Sequence, residues 1–485
     1  MSPRRARGWD NTGVSHLQDP PDAAPARGPA TTSRAVIDLD ALAHNAHVLA
    51  AVAGTPWMAV VKADAYGHGL LPVATTCLDA GATWLGVAQL DEALRLRALL
   101  DAQGLARPLP GAAPSSDAPR ILCWLAPVLD PSRAAAPGSA LRRALRADLD
   151  LSVSTPGQLA ALAGAARAER APARIHLKAD TGMSRAGAVA EDLPALAGAA
   201  RAARDAGDVD VVGLWSHLSR ADEPACGSTE EHLARFLAAE RVLAEAGLRP
   251  PIRHLAATGG LLWHPDTRLD LVRIGIGLYG LSPNPDLAPA ASLDLHPVMR
   301  LEAPLTQVKR VPAGRAVSYG GTWRAPTDRW LALVPLGYAD GIPRAAADGG
   351  PVAVAGLRTT IVGRVCMDQV VIDLGPADGG AAPAAAGDLA VLWGDPTPAG
   401  AHPATPAAVP TAVPTAIPAA IPTAQDWAEA CGTIGYEIVT RLGARVPRVA
   451  HGGGRDDSEG AGPVRGAPAP PAAAAEDETE HQEER

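Results

Sequence analysis

Aromatic side chains are scarce in this chain, making up 3% of its 485 residues, with a single Phe and five Tyr. All five tyrosines (Tyr66, Tyr279, Tyr319, Tyr338 and Tyr436) fall in glycine-flanked or polar turns. Only Tyr279, in Gly277-Leu278-Tyr279-Gly280, has the look of a core filler. A tyrosine so placed either packs with its hydroxyl in water or does chemistry. Cysteine is sparse as well. Cys77, Cys123, Cys226, Cys366 and Cys431 form an odd, scattered set with no C-x-x-C pair. That argues against a disulfide frame and a zinc site, and fits free thiols in a reducing compartment. No apolar span reaches 18 residues, and the basic start Met1-Ser2-Pro3-Arg4-Arg5 has no apolar region after it. Neither a membrane segment nor a secretory signal is therefore expected, and a cytoplasmic location follows. No basic stripe offsets the net charge of −9, so a nucleic-acid partner has no electrostatic support.

What is present is a large apolar fraction, 47%, enough to bury a sizeable core in two domains. Residues 1–33 are rich in Pro, Arg, Ala and Asp without periodicity and read as a disordered tail. Residues 451–485 read as a second one, ending acidic, with nine acids against three arginines. Neither can bury enough apolar surface to offset its ordering entropy. Within 396–424 prolines recur at every fourth position, Pro406, Pro410, Pro414, Pro418 and Pro422. This reads as an extended surface insertion, an inert loop rather than a docking site for a proline-binding partner.

Eight short apolar or β-branched runs precede residue 290: Met58–Lys62, Trp84–Ala88, Ile121–Leu125, Leu149–Val153, Ile175–Lys178, Val211–His217, His254–Ala257 and Leu271–Gly275. Alanine- and leucine-rich segments with helical spacing separate them. One opens on a capping box of Ser228 with Glu231 and stops at Gly247. Eight strands alternating with helices predict an α/β fold, a parallel (β/α)8 TIM-type barrel over residues 34–290. Residues 291–450 instead show successive strands, at Val308–Val311, Trp330–Pro335, Val352–Val354, Thr360–Val365, Val370–Leu374 and Leu389–Leu392. They predict a mostly β C-terminal domain carrying the proline-rich insertion.

Working residues of such barrels sit at the C-terminal ends of the strands. Lys62 closes the first run, Lys178 the fifth and His217 the sixth; Thr258 follows the seventh and Arg273 lies in the eighth. Five polar residues at one barrel face favour a site over chance. In Ala59-Val60-Val61-Lys62-Ala63-Asp64-Ala65-Tyr66-Gly67-His68-Gly69 the lysine stem is gripped by Val60 and Val61. Partial desolvation pushes its amine toward the neutral, nucleophilic form that a Schiff base requires. The plainer alternative is a solvated lysine at a strand end. Tyr66 and the amides near Gly67 and Gly69 could meet an anion such as phosphate. Thr258-Gly259-Gly260 and Gly275-Ile276-Gly277 lie after the seventh and eighth strands, where barrel enzymes often hold phosphate. Glycine pairs also serve simply as turns.

The residues from Val60 to Gly69 look like the pyridoxal-phosphate lysine motif of alanine racemases, and further blocks follow in the same order. His176-Leu177-Lys178-Ala179-Asp180-Thr181-Gly182-Met183-Ser184-Arg185-Ala186-Gly187 is similar to that family's second signature. Gly213-Leu214-Trp215-Ser216-His217 with Ala221-Asp222-Glu223 matches another block, as does Val272–Gly280. In the β domain Val317–Trp323, Gly337–Gly341, Gly363–Gln369 and Thr433–Glu437 also match. The likeness covers roughly residues 34–450, apart from the proline insertion.

The resemblance implies that Lys62 binds pyridoxal 5′-phosphate as a Schiff base and serves as base and acid on the D-face of Cα. It implies a homodimer in which Tyr319, from the partner subunit's second domain, serves the L-face. Arg273 would hydrogen-bond the pyridine nitrogen, with His217 linking it toward Tyr319. Tyr66, Thr258, Gly275, Ile276 and Tyr436 would surround the phosphate. Arg185 would touch the cofactor's phenolic oxygen and the substrate carboxylate, and Met367 would offer that carboxylate its backbone amide. Lys178 matches a lysine that many members carry carbamylated, its negative charge orienting Arg185. The implied activity is interconversion of L- and D-alanine, supplying D-alanine for peptidoglycan.

Elementary chemistry agrees with those roles. Removing the α-proton needs an electron sink, which the cofactor supplies. Arginine is always charged and only donates, so it cannot take a proton from the pyridine nitrogen. The carbanion therefore stays short-lived, which suits a racemase. Two departures stand out: Thr258 replaces the usual serine at the phosphate, keeping the hydroxyl, and Ala257 stands where asparagine is common. A broader amino-acid racemase on the same fold is the alternative enzyme. A barrel-type decarboxylase would present an acid at the position of Arg273. A non-catalytic pyridoxal-phosphate carrier would lack Tyr319 and the β domain.

Overall fold

The structure, a computed structural model, describes residues 33–109, 111–396 and 421–453. Nearly all of both expected tails and most of the expected proline insertion lie outside the described residues. Eight strands form one parallel sheet: β2 (Trp57–Val60), β3 (Trp84–Gln89), β4 (Arg120–Leu125), β5 (Leu149–Val153), β6 (Ala173–Lys178), β7 (Val209–Trp215), β8 (Ile252–His254) and β9 (Val272–Ile274). Their order is β8-β7-β6-β5-β4-β3-β2-β9, a nearly closed barrel in which β2 pairs with β9 while β8 and β9 share no ladder. Single backbone bonds bridge that seam, from Arg273 N to Ala256 O at 3.0 Å and from Asp270 N to Arg253 O at 3.1 Å. The barrel reading of the eight runs holds.

The strand that opens the described chain, β1 (Arg34–Asp38), belongs elsewhere. It pairs antiparallel with β10 (Met299–Pro304) and parallel with β19 (Arg448–His451). The second domain adds β11 (Gln307–Val311), β12 (Ala316–Val317), β13 (Trp323–Arg324), β14 (Arg329–Val334), β15 (Pro351–Val354), β16 (Leu357–Thr360), β17 (Val370–Pro376) and β18 (Leu389–Trp393). They form a six-stranded sheet, β16-β15-β18-β10-β1-β19, a three-stranded one, β11-β14-β17, and the pair β12-β13. The run expected over Thr360–Val365 is strand only at its start. Beyond it Ile361 makes one bridge to Ile372, and the Gly363 N–H goes to the Asp348 carboxylate instead of a neighbouring strand.

Helix α1 (Leu39–Ala53) shows the local logic. The Asp38 side chain caps it by accepting from Ala41 N at 2.9 Å, and Gly54 ends it in the left-handed conformation. Its inner face buries Leu39, Leu42 and Leu49, each contributing about 2 kcal/mol by burial. These residues share one core with Leu301, Trp393 and Trp427, so the two domains pack as a unit. The expected capping box at Ser228 does not form. Gly227, at φ 76°, takes the cap position of the helix Ser228–Glu245, while the Glu231 carboxylate pairs with Arg235 at 3.1 Å. Among the described residues no helix is long and apolar enough to cross a membrane.

Candidate active site

Lys62 leaves β2 at the barrel mouth and begins a turn that no glycine-free sequence adopts cheaply. Ala63, Asp64, Ala65 and Tyr66 all have φ between 53° and 55°, a left-handed helical turn in L-residues. Each such residue costs about 1–2 kcal/mol, so the surroundings must impose it. The Glu92 carboxylate accepts from Ala63 N at 2.6 Å, Asp64 Oδ1 accepts from Leu70 N at 3.1 Å, and the Arg448 Nε donates to Gly67 O at 2.9 Å. The turn buries Tyr66 and leaves the Lys62 amine half-buried, 5.8 Å from the centre of the Tyr66 ring and 5.9 Å from that of Trp124. Burial first, then the charge of Arg185, lowers the Lys62 amine below the usual lysine range, and Glu92 partly opposes this. This is the environment that favours a nucleophilic amine.

Around it stand the other barrel residues. Tyr66 stacks on Tyr279 at 4.6 Å and lies 6.4 Å from the ring of Tyr436, which a helix near the chain's end (Gly435–Thr440) brings to the mouth. The Tyr279 hydroxyl donates to Val60 O at 2.9 Å, tying the turn after β9 to the strand that carries Lys62. Thr258 is buried, and its Oγ1 accepts from Gly275 N at 3.2 Å. The Thr258-Gly259-Gly260 stretch is the start of a short helix, Thr258–Trp263, rather than a simple turn. A Cβ on Gly275 would come within 2.7 Å of Tyr66 Oη. Bare backbone at Gly275, beside the hydroxyls of Tyr66 and Thr258, leaves a cradle of donors suited to a phosphate. The residues present therefore fit a phosphate-bearing cofactor whose carbonyl Lys62 could bind.

Arg273 is buried behind this cradle. Its Nη2 donates to Ser216 O and Leu255 O at 2.9 Å and meets His217 Nδ1 at 3.1 Å, while its Nη1 meets His254 Nδ1 at 3.2 Å. Burial brings the guanidinium down to about 9, still charged at neutral pH. His217 is held well below its usual range, first by burial and then by Arg273, Arg185, Lys178 and Lys62, so it is neutral. Lys178 lies 4.1 Å over the Trp215 ring, and burial together with Arg273 and Arg185 lowers its amine to about 8.

Two candidates are not brought to Lys62. Tyr319 is 71% exposed and Met367 53% exposed, both on the second domain. They lie near one another: Ser318 Oγ donates to Arg364 O at 2.6 Å, and Met367 O accepts from Ala339 N beside Tyr338. Among the described residues Tyr319 makes no hydrogen bond or ring contact with the barrel. Arg185 is exposed at the mouth, reaching Lys62 and Lys178 through its charge. Glu92, Trp215, His254 and Trp124 shape the site without having stood out as site residues. The signal for His254 was a histidine at the head of an apolar run.

An amine-bearing barrel with a phosphate-ready cradle and a β domain defines a class of lysine-based barrel enzymes. The family model of the alanine racemase N-terminal domain matches residues 37–283, and that of the C-terminal domain matches residues 298–421. The alanine racemase of Beutenbergia cavernae is 50% identical over 426 residues, covering 87% of this chain and 99% of that protein. The alanine racemase of Streptomyces coelicolor is 46% identical over 425 residues, covering 86% and 95%. The crystal structure of alanine racemase from a D-cycloserine-producing Streptomyces lavendulae aligns with a TM-score of 0.75 at 43% identity, covering 88% of this chain and 98% of that one. This chain belongs to the alanine racemase family, and is an isomerase.

Proposed function

We propose that the chain interconverts L- and D-alanine in the cytoplasm, with pyridoxal 5′-phosphate as cofactor, and so supplies D-alanine for peptidoglycan. The observation that carries this is the half-buried Lys62 amine, lowered by burial, beside the cradle of Tyr66, Thr258 and Gly275. When bound, the cofactor draws electron density from Cα and so acidifies the α-proton. Tyr66, Thr258, Tyr436 and the backbone of Gly275 and Ile276 would hold its phosphate. Arg273, with its other donors already engaged, would present a fixed N–H to the pyridine nitrogen. Lys62 Nζ would take or return the α-proton on the D-face, and Tyr319 of the partner subunit would do so on the L-face. Arg185 and the Met367 amide would fix the substrate carboxylate.

The chain has three lysines, Lys62, Lys178 and Lys309. Borohydride reduction of the purified protein, followed by peptide mass spectrometry, should place the cofactor on the Lys62 peptide. Label on Lys178 or Lys309 instead would sink the assignment.

Lys178 is proposed to be carbamylated. Above its value of about 8 the amine is increasingly neutral. The neutral nitrogen attacks carbon dioxide, forms an N–C bond and releases one proton, leaving an anion for the Arg185 charge. Protein equilibrated with 13C-bicarbonate should show a carbamate resonance that grows as pH rises through about 8 and is missing in Lys178→Ala. A wild-type spectrum without that resonance counts against it.

A further inference from the structure

Behind Arg273 a line of buried polar side chains runs into the barrel. Arg273 Nη1 meets His254 Nδ1 at 3.2 Å, His254 Nε2 meets His176 Nδ1 at 2.9 Å, and His176 Nε2 meets Asp150 Oδ2 at 3.3 Å. Asp150, His176 and His254 are each 0% exposed, at positions where barrels normally carry branched aliphatic residues. The line spans four strands, β5, β6, β8 and β9. It passes β7 at Gly213, where a Cβ would lie 2.1 Å from His176 Nδ1. The missing side chain at Gly213 is what lets the two imidazoles meet.

The protons in this line can point only one way. Arginine donates and never accepts, so His254 Nδ1 is the acceptor and its proton sits on Nε2. That proton is donated to His176 Nδ1, which places the His176 proton on Nε2, facing Asp150. The carboxylate end is anchored as an acceptor. Burial alone would raise Asp150, but the His176 hydrogen bond and the charges of Arg174 and Arg120 outweigh it and hold the carboxyl below its usual range. Arg174 Nε donates to Asp150 at 2.7 Å, Arg120 lies 3.7 Å away, and Asp148 shares Arg174 at 2.6 Å. At the other end, Arg273 faces His217, His254 and Lys178, with Arg185 beyond, and among the described residues no carboxylate contacts it.

We propose that Asp150 and His176 are positioning residues for the reaction: acting through His254, they lock one tautomer along the line and aim Arg273 at the cofactor's ring nitrogen. This rests on the reading that Arg273 faces that nitrogen. Asp150 also supplies the anion that the cationic end of the line otherwise lacks. Removing its charge takes away the buried counter-charge of Arg120 and leaves Arg174 to Asp148 alone, and cationic forms at the mouth become less favourable.

Two measurements test this. In protein labelled with 15N-histidine, prepared with and without cofactor, His176 and His254 should both show a proton on Nε2 and a bare Nδ1. The Nδ1–H tautomer at either residue overturns the proposal, whatever the activity. In the holoenzyme, Asp150→Asn should lower kcat about tenfold with KM nearly unchanged. The pH at which the bound cofactor's visible band titrates should fall by about one unit, the order expected when a buried charge is removed. Arg185, Glu92, His217, Lys178 and Arg273, which face that linkage, are unchanged in this variant. Ser152→Ala, also on β5 but bonded to Trp215, should leave the titration in place. A titration unmoved in Asp150→Asn, or moved equally by Ser152→Ala, rejects the positioning role. Borohydride label away from Lys62 with both tautomers as stated would remove the proposed function and leave the relay standing.

Discussion

Tyr319→Phe is expected to reduce racemisation by about 10²–10⁴-fold, the usual contribution of a positioned acid–base group. The substitution removes one phenolic oxygen from a residue that is 71% exposed and whose side chain makes no hydrogen bond among the described residues, so folding should be untouched. In deuterated water the variant should still exchange the α-proton of D-alanine, because Lys62 can return a proton to the face it came from. Exchange into L-alanine should be largely lost. Equal loss for both enantiomers would mean that the two residues do not serve separate faces.

Lys62→Ala should abolish turnover, and the more telling experiment mixes it with Tyr319→Phe. The tyrosine is far from solvent-excluded in a single chain, and Tyr338 and Met367 are exposed beside it, at 42% and 53%. Exposed apolar side chains grouped in this way are what the proposed dimer would cover. If the site is completed across a two-fold dimer, a hybrid of the two inactive variants holds one intact site. Random exchange should then restore about a quarter of wild-type activity, since half the dimers are hybrids and each has one working site of two. No recovery after subunit exchange has been verified by mass would place both bases in one chain.

The barrel was legible because its signal is local and repeated: apolar runs of strand length, each followed by helical spacing, with Lys62, Lys178 and His217 at run ends. The left-handed turn after Lys62 was not legible. Of Ala63-Asp64-Ala65-Tyr66 only Asp64 tolerates positive φ readily; the conformation is held by Glu92 and Arg448, both distant in sequence, and by the Leu70 amide just beyond the turn. Ser228 failed as a cap because a glycine one residue earlier took the position. Asp150 and His176 passed as strand interior, although a charge inside Leu149-Asp150-Leu151 was a visible anomaly. It needed the partner from β8, brought past Gly213, to acquire meaning.

The placement of β1 has a consequence for biosynthesis. It leaves the ribosome before every barrel strand, yet its partners β10 and β19 begin at Met299 and Arg448. At about 5–20 residues per second, the wait between β1 and β19 is roughly 20–80 s. Until β10 has been made, Ala35 and Ile37, both fully buried in the finished protein, have no sheet to enter, and until β19 has been made the other edge of β1 stays open. The barrel strands, all made between them, can pair in the order they emerge. The six-stranded sheet is thus completed only once Arg448–His451 have been made, and a nascent chain stalled before Arg448 would carry an assembled barrel with an open strand edge ready to capture another chain.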